Sequence, residues 1–210
     1  MHHRILLFKN IFLSKKSLQV GVLVFKRRRG FMLKSKDTMA IVVDVQERML
    51  PVINCHEELE KNCVTLIKGL KLLEIPTIVT QQYTKGLGMT IPSIRKAVEC
   101  DDYHEKLSFS VLGEEAITYT IKEYNRKNVL VLGIEAHICV LQTCLDLKEQ
   151  GYTPYLVVDC IGSRKESNLR MAIQRAIQEG VKLTSYESLL FELMGKSDVE
   201  VFREISKLVK

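Results

Sequence analysis

From Ala40 onward, short runs that are apolar at nearly every position alternate with segments whose apolar residues recur at helical spacing. That pattern narrows the fold more than any other feature of the chain. A strand with one wet face alternates apolar and polar residues, whereas a strand apolar throughout is buried on both faces, as in a parallel sheet covered by helices. Runs of this kind are Ala40-Ile41-Val42-Val43-Asp44, Thr77-Ile78-Val79-Thr80, Val129-Leu130-Val131-Leu132, Tyr155-Leu156-Val157-Val158 and Val181-Lys182-Leu183-Thr184. A further short strand is expected over residues 108–112. Between the strands, Leu59, Cys63, Leu66, Ile67, Leu70 and Leu73 fall on one face of a helix over 57–73. Helices are also expected over 114–125, 137–150 and 166–179, the last two stopped by Gly151 and Gly180. The tail, 186–210, reads as two helical pieces around Gly195. Strand–helix alternation with short connections predicts a three-layer α/β sandwich, a mainly parallel Rossmann-like sheet flanked by helices.

Composition limits the function. The chain has 210 residues, 46% hydrophobic and 27% charged, the balance of one globular domain. The best candidate for a membrane span, 18–25, falls far short of the roughly 18–20 apolar residues that span a bilayer. Six cysteines at irregular spacings, with no Cys-x-x-Cys pair, support neither a disulfide framework nor a structural zinc site. Reduced thiols and a cytoplasmic setting follow as the expectation. The net charge of +6 is unevenly spread: residues 1–36 hold ten Lys or Arg and no acid, so 37–210 carry 21 basic against 25 acidic residues, a net −4. The domain over 37–210 is therefore not read as a nucleic-acid or membrane binder. The extension over 1–36, with Lys26-Arg27-Arg28-Arg29, is left open between a mitochondrial transit peptide, a basic contact segment and a start codon placed upstream of Met32 or Met39.

In open α/β sheets, ligands gather at the carboxyl ends of the strands. Asp44 ends the first strand, Gln81, Gln82 and Tyr83 follow the second, and Cys139 follows the strand that runs into Gly133. In Val129-Leu130-Val131-Leu132-Gly133-Ile134-Glu135-Ala136-His137-Ile138-Cys139, a Gly turn delivers a cysteine to the first turn of a helix. Positive potential and unpaired N–H groups at a helix start favour a thiolate and can hold an oxyanion. Each residue also has a plainer use. Cysteine is commonly a small buried hydrophobe, Asp after a strand caps turns, and Lys106 in Glu105-Lys106-Leu107-Ser108-Phe109-Ser110 has the default of a solvated lysine. His137 could serve as a base for Cys139, but residues two apart on a helix start point in different directions.

Asp44 within Val43-Asp44-Val45-Gln46, Lys106 within Lys-Leu-Ser-Phe-Ser, and Cys139 within Gly-Ile-Glu-Ala-His-Ile-Cys-Val-Leu-Gln-Thr occur in an order and at spacings that resemble the isochorismatase-like cysteine hydrolase superfamily, which includes nicotinamidases and related amidases. The resemblance runs over residues 40–193. Gln81-Gln82-Tyr83-Thr84-Lys85-Gly86-Leu87-Gly88 is similar to the stretch of isochorismatase-domain proteins of unassigned substrate, as are Ser163-Arg164 and Ser188-Leu189-Leu190-Phe191. The resemblance implies a catalytic triad of Asp44, Lys106 and Cys139. It implies an oxyanion hole from the backbone N–H groups of Glu135 and Cys139, with a cis peptide at 134–135, and a substrate pocket that includes Gln46, Gln82 and Tyr83. It also implies a thioester intermediate, a small-molecule substrate and a homo-oligomer, with no cofactor.

The departures are informative. Nicotinamidases carry an Asp-x-His pair and further histidines after the second strand, which bind a divalent metal. This chain has Gln81-Gln82-Tyr83 there and no histidine between His56 and His104, so no metal is expected. Gln81 stands where the subgroup has glutamate and Thr84 where it has proline. Gly86-Leu87-Gly88 lacks the spacing of a phosphate loop. The expected function is cysteine-dependent hydrolysis of a small amide or related carbonyl compound. A catalytically silent scaffold of the same fold is the alternative.

Overall fold

The computed structural model describes residues 32–99 and 103–210; the apolar run 18–25 and the basic cluster 26–29 lie outside the described residues. Six strands make one sheet: β1 Thr38–Val43, β2 Thr77–Gln82, β3 His104–Lys106, β4 Asn128–Ile134, β5 Thr153–Gly162 and β6 Lys182–Thr184. All pair in parallel, in the order β3-β2-β1-β4-β5-β6. The order reverses between β1 and β4, so the loops after these two strands diverge and leave a crevice at their carboxyl ends.

Both faces of the sheet are covered, for the reason the apolar runs imply. Ala40 and Val42 of β1 pack with α1 (His56–Leu72), α3 (Pro92–Val98), α7 (Tyr186–Met194) and α8 (Phe202–Leu208). Met39, Ile41 and Val43 face the opposite layer, α4 (Glu115–Tyr124), α5 (Leu141–Glu149) and α6 (Glu166–Gln178). A single helical turn, α2 (Thr84–Leu87), follows β2. Every residue of β1 is buried. The apolar residues of the tail are used within the chain: Leu189, Leu190, Leu193 and Ile205 lie in the first core layer. Residues 32–36, grouped by composition with the extension, bring Leu33 into the same core, where its N–H donates to Glu192 Oε1 at 2.9 Å. Among the described residues, no helix is long and apolar enough to cross a membrane.

Two stretches of the sheet side differ from expectation. The strand expected over 108–112 is absent; β3 lies earlier, at His104–Lys106, and a 3-10 turn occupies Val111–Gly113. Serines 108 and 110 alternate with Phe109 and Val111, which mimics a half-buried strand, but this backbone is satisfied by side chains. Glu114 Oε1 accepts the N–H groups of Leu107 and Ser108 at 3.0 and 3.1 Å, and Thr143 Oγ1 accepts that of Val111 at 3.2 Å. The N–H of Ser108, then that of Leu107, hold the Glu114 carboxyl below its ordinary value. Strand β5 runs past Asp159, where it was expected to end, because its register against β4 shifts and it rejoins the sheet through the pairs Gly133–Ile161 and Ile134–Gly162.

Candidate active site

The carboxyl ends of β1, β2, β3 and β4 meet at the crevice. Asp44 leaves β1 with φ +52°, a left-handed conformation that Asp tolerates better than most residues. Gln82 and Lys106 are register partners at the ends of β2 and β3. Gly133, paired with Val43, turns the chain at φ +116°. A β-carbon there would lie 2.1 Å from the Val43 carbonyl oxygen, so only glycine lets β4 approach β1 this closely.

Asp44 and Lys106 form a buried ion pair, with Lys106 Nζ 2.7 Å from Asp44 Oδ2. Lys106 is not the solvated lysine its composition suggests. Its ammonium has three hydrogens and four oxygens around it: Asp44 Oδ2, Gln82 Oε1 at 2.7 Å, and the carbonyls of Phe109 at 3.0 Å and Ser108 at 3.1 Å. The Thr80 hydroxyl donates to Asp44 Oδ1 at 2.8 Å. Oδ2 faces the ammonium charge yet receives no hydrogen bond of good geometry. One carboxylate oxygen is thus anchored and the other keeps a lone pair. Burial pushes the Asp44 carboxyl above its ordinary value, and Lys106 only partly offsets this. A carboxylate so placed is a stronger base than one in water.

Cys139 is buried and lines the same cavity as Asp44. It sits in a π-helical turn, Ala136–Val140, rather than at a regular α-helix start. The Glu135 carbonyl accepts the N–H groups of Ile138 at 3.0 Å and Val140 at 3.3 Å, the residues on either side of Cys139. Turns of this kind recur at functional sites. The expected bias toward thiolate does not hold in the resting site. Burial first, then the Asp44 charge, push the thiol up to about 12, and Lys106 is the smaller opposing influence. A proton acceptor is therefore needed to ionise it, and Asp44 is the group in reach.

Glu135 and Cys139 both line the cavity, and the Ile134–Glu135 peptide is cis. The Glu135 carboxylate turns to Arg164, whose Nε lies 3.1 and 3.2 Å from its two oxygens and whose backbone N–H donates at 3.0 Å. His137 points away from the sulfur, its Nδ1 2.9 Å from Ser163 Oγ and its Nε2 3.2 Å from Asn168 Nδ2.

Asp44, Gln82, Glu135 and Cys139 line a cavity of about 120 Å³ whose remaining walls are Met49, Leu87, Phe109, Ile134 and Ile138. Of the three residues expected around the substrate, Gln82 lines it and two do not. Gln46 is fully buried beneath the loops, donating to the carbonyls of Gly88 and Gln82 and accepting the Gln82 N–H. Tyr83 is exposed, with its backbone N–H tied to the Lys106 carbonyl. Gln81 and Thr84, the two departures in this loop, bond to each other at 3.0 Å and do not reach the cavity. Thr80 and the apolar walls were not singled out by sequence reasoning. Thr80 carried a signal in its place at the end of a strand beside Asp44; the wall residues carried none. Among the described residues, no group of three or more His, Cys, Asp or Glu is placed to hold a metal ion.

The isochorismatase-domain profile matches residues 38–188. The chain belongs to the isochorismatase family. The secreted isochorismatase effector Isc1 of Phytophthora sojae is 41% identical over 150 residues, 70% of this chain and 71% of that protein. Isochorismatase domain-containing protein 2 of Danio rerio is 33% identical over 177 residues, 84% and 89% of the two chains. Among solved structures, the MAR1 ribonuclease of Caenorhabditis elegans is similar, with a TM-score of 0.80 and 35% identity over 85% of this chain and 92% of that one. The three-layer fold is thus that of the isochorismatase-family hydrolases.

Proposed function

We propose that this isochorismatase-family protein hydrolyses a small amide or related carbonyl compound through a thioester on Cys139. The observation that carries the reading is the Asp44 carboxylate, paired through Oδ2 with the Lys106 ammonium at 2.7 Å and lining one cavity with Cys139. Asp44 Oδ2 takes the thiol proton as Sγ attacks the carbonyl carbon. The carbonyl electron pair moves to oxygen, where the N–H groups of Glu135 and Cys139 receive it. When the tetrahedral species collapses, the C–N bond breaks and Asp44 returns the proton to the leaving amine. Water, deprotonated by Asp44, then attacks the thioester, releasing the acid and the thiol. Lys106 orients Asp44, partly offsets the cost of its buried charge, and favours the thiolate that forms beside it. No step is assigned to a metal.

The test is turnover of a panel of small amides with hydroxylamine present. A thioester partitions between water and hydroxylamine, so part of the product is the hydroxamate and chelation leaves the rate unchanged. Free acid alone, at every hydroxylamine concentration, contradicts the thioester. RNA belongs in the same panel, given the name of the Caenorhabditis elegans relative; cleavage of RNA without any amide turnover replaces this reading.

A cytoplasmic setting, or a mitochondrial one if residues 1–31 are a transit peptide, remains part of the proposal, as does self-association. Leu107, Phe109 and Tyr83 support the latter: they are 72%, 55% and 49% exposed on the loops beside the cavity.

A further inference from the structure

Among the described residues, the walls of the cavity above Cys139 carry no Lys or Arg. Two cations close to the lining residues are already engaged. Lys106 Nζ is buried 2.7 Å from Asp44 Oδ2 and donates to Gln82 Oε1 and the carbonyls of Ser108 and Phe109. Arg164 closes on both carboxylate oxygens of Glu135 through Nε and on one through its backbone N–H. Each acid at the cavity is thus matched by one base. A carboxylate brought inside would lose its water without gaining a cationic partner, and Asp44 lines the same cavity. An uncharged amide pays no such cost, and Met49, Leu87, Phe109, Ile134 and Ile138 surround it with apolar atoms. The volume of about 120 Å³ is below the roughly 150 Å³ of a dry cavity that holds one benzene, and well below the roughly 300 Å³ at which pockets for larger ligands begin.

We infer that this cavity admits small uncharged carbonyl compounds and excludes carboxylate-bearing ones, so that the substrate is a neutral amide with an aliphatic acyl group of about four or five heavy atoms. The substrate assignment rests on the hydrolase reading above; the selectivity of the cavity does not. It separates this site from one built for an organic acid, which needs a free cation to receive the acid group.

Iodoacetamide and iodoacetate test the charge, because they have nearly the same shape and differ by one negative charge. Both alkylate thiols, and the exposed Cys55 supplies the reference in the same molecule. Rates at each cysteine are read by peptide mass spectrometry on the full chain. The preference for iodoacetamide over iodoacetate is expected to be at least tenfold greater at Cys139 than at Cys55. An equal or smaller preference at Cys139, or no labelling of Cys139 by either reagent, overturns the inference. N-benzyliodoacetamide tests the size: it should lose at least tenfold against iodoacetamide at Cys139 alone, and Phe109→Ala should recover part of the loss. Equal rates with the two amides overturn the size limit. Turnover of isobutyramide against malonamate separates the two levels of the account. If malonamate is the better substrate and its hydrolysis needs Cys139, the hydrolase reading stands and the charge inference fails. If labelling is selective but neither amide is turned over, the cavity inference stands and the hydrolase reading fails.

Discussion

Asp44 and Lys106 act on the Cys139 thiol with opposite signs, and this makes their roles separable. The Asp44 charge raises the thiol and the Lys106 charge lowers it. Asp44→Asn should therefore abolish hydrolysis, since an amide cannot carry the proton, yet move the pH profile of Cys139 alkylation to lower pH. A profile that stays in place or moves upward contradicts the arrangement. Lys106→Met should do the reverse, moving the profile upward and slowing alkylation at neutral pH. It should also cost stability, because it leaves the Asp44 charge buried without its partner; urea unfolding should show a loss of about 3–5 kcal/mol. A stable Lys106→Met protein with unchanged alkylation would return Lys106 to the role of an ordinary lysine. At this scale the sequence was partly legible. Asp44, Lys106 and Cys139 stood out by their resemblance to a family pattern, and the structure brings them together. Thr80 and the engagement of Gln46 beneath the loops were not legible, because they depend on which strands become neighbours.

Gly133 shows how an element sets the site. Its position opposite Val43 puts the ends of β1 and β4, and with them Asp44 and the Cys139 turn, in register. Gly133→Ala would set a β-carbon against the Val43 carbonyl at a backbone angle unfavourable to alanine. Unfolding by urea should show a loss of about 3 kcal/mol or more, with Cys139 alkylation altered in the protein that still folds. A loss below about 1 kcal/mol would mean that β1 and β4 can part without consequence. The central strands and long helices were readable from their periodicity, since burial on both faces leaves few polar interruptions. Residues 108–112 were misread because alternating serines imitate a strand while their backbone bonds to side chains. The π-helical turn at Ala136–Val140 was read as the start of a regular helix, since hydrophobic spacing does not distinguish the two over one turn.

For the molecule as a whole, the apolar residues of the tail, Leu189, Leu190, Leu193 and Ile205, are consumed by the chain's own core and leave little for a partner. Three of the exposed apolar residues, Tyr83, Leu107 and Phe109, lie on the loops beside the cavity. Exposed apolar side chains close to a functional site are a place where another chain can dock. Light scattering at micromolar concentration should therefore give a mass above the 24.1 kDa of one chain, and Leu107→Asp should lower it. A single-chain mass for the unaltered protein contradicts self-association. The central claim, that Cys139 is the nucleophile, is met most directly by the turnover of isobutyramide by Cys139→Ala compared with the unaltered chain. A loss of kcat/KM of about 10³-fold or more, with the fold intact by circular dichroism, is the expected result. Turnover by Cys139→Ala within about tenfold of the unaltered chain would contradict it.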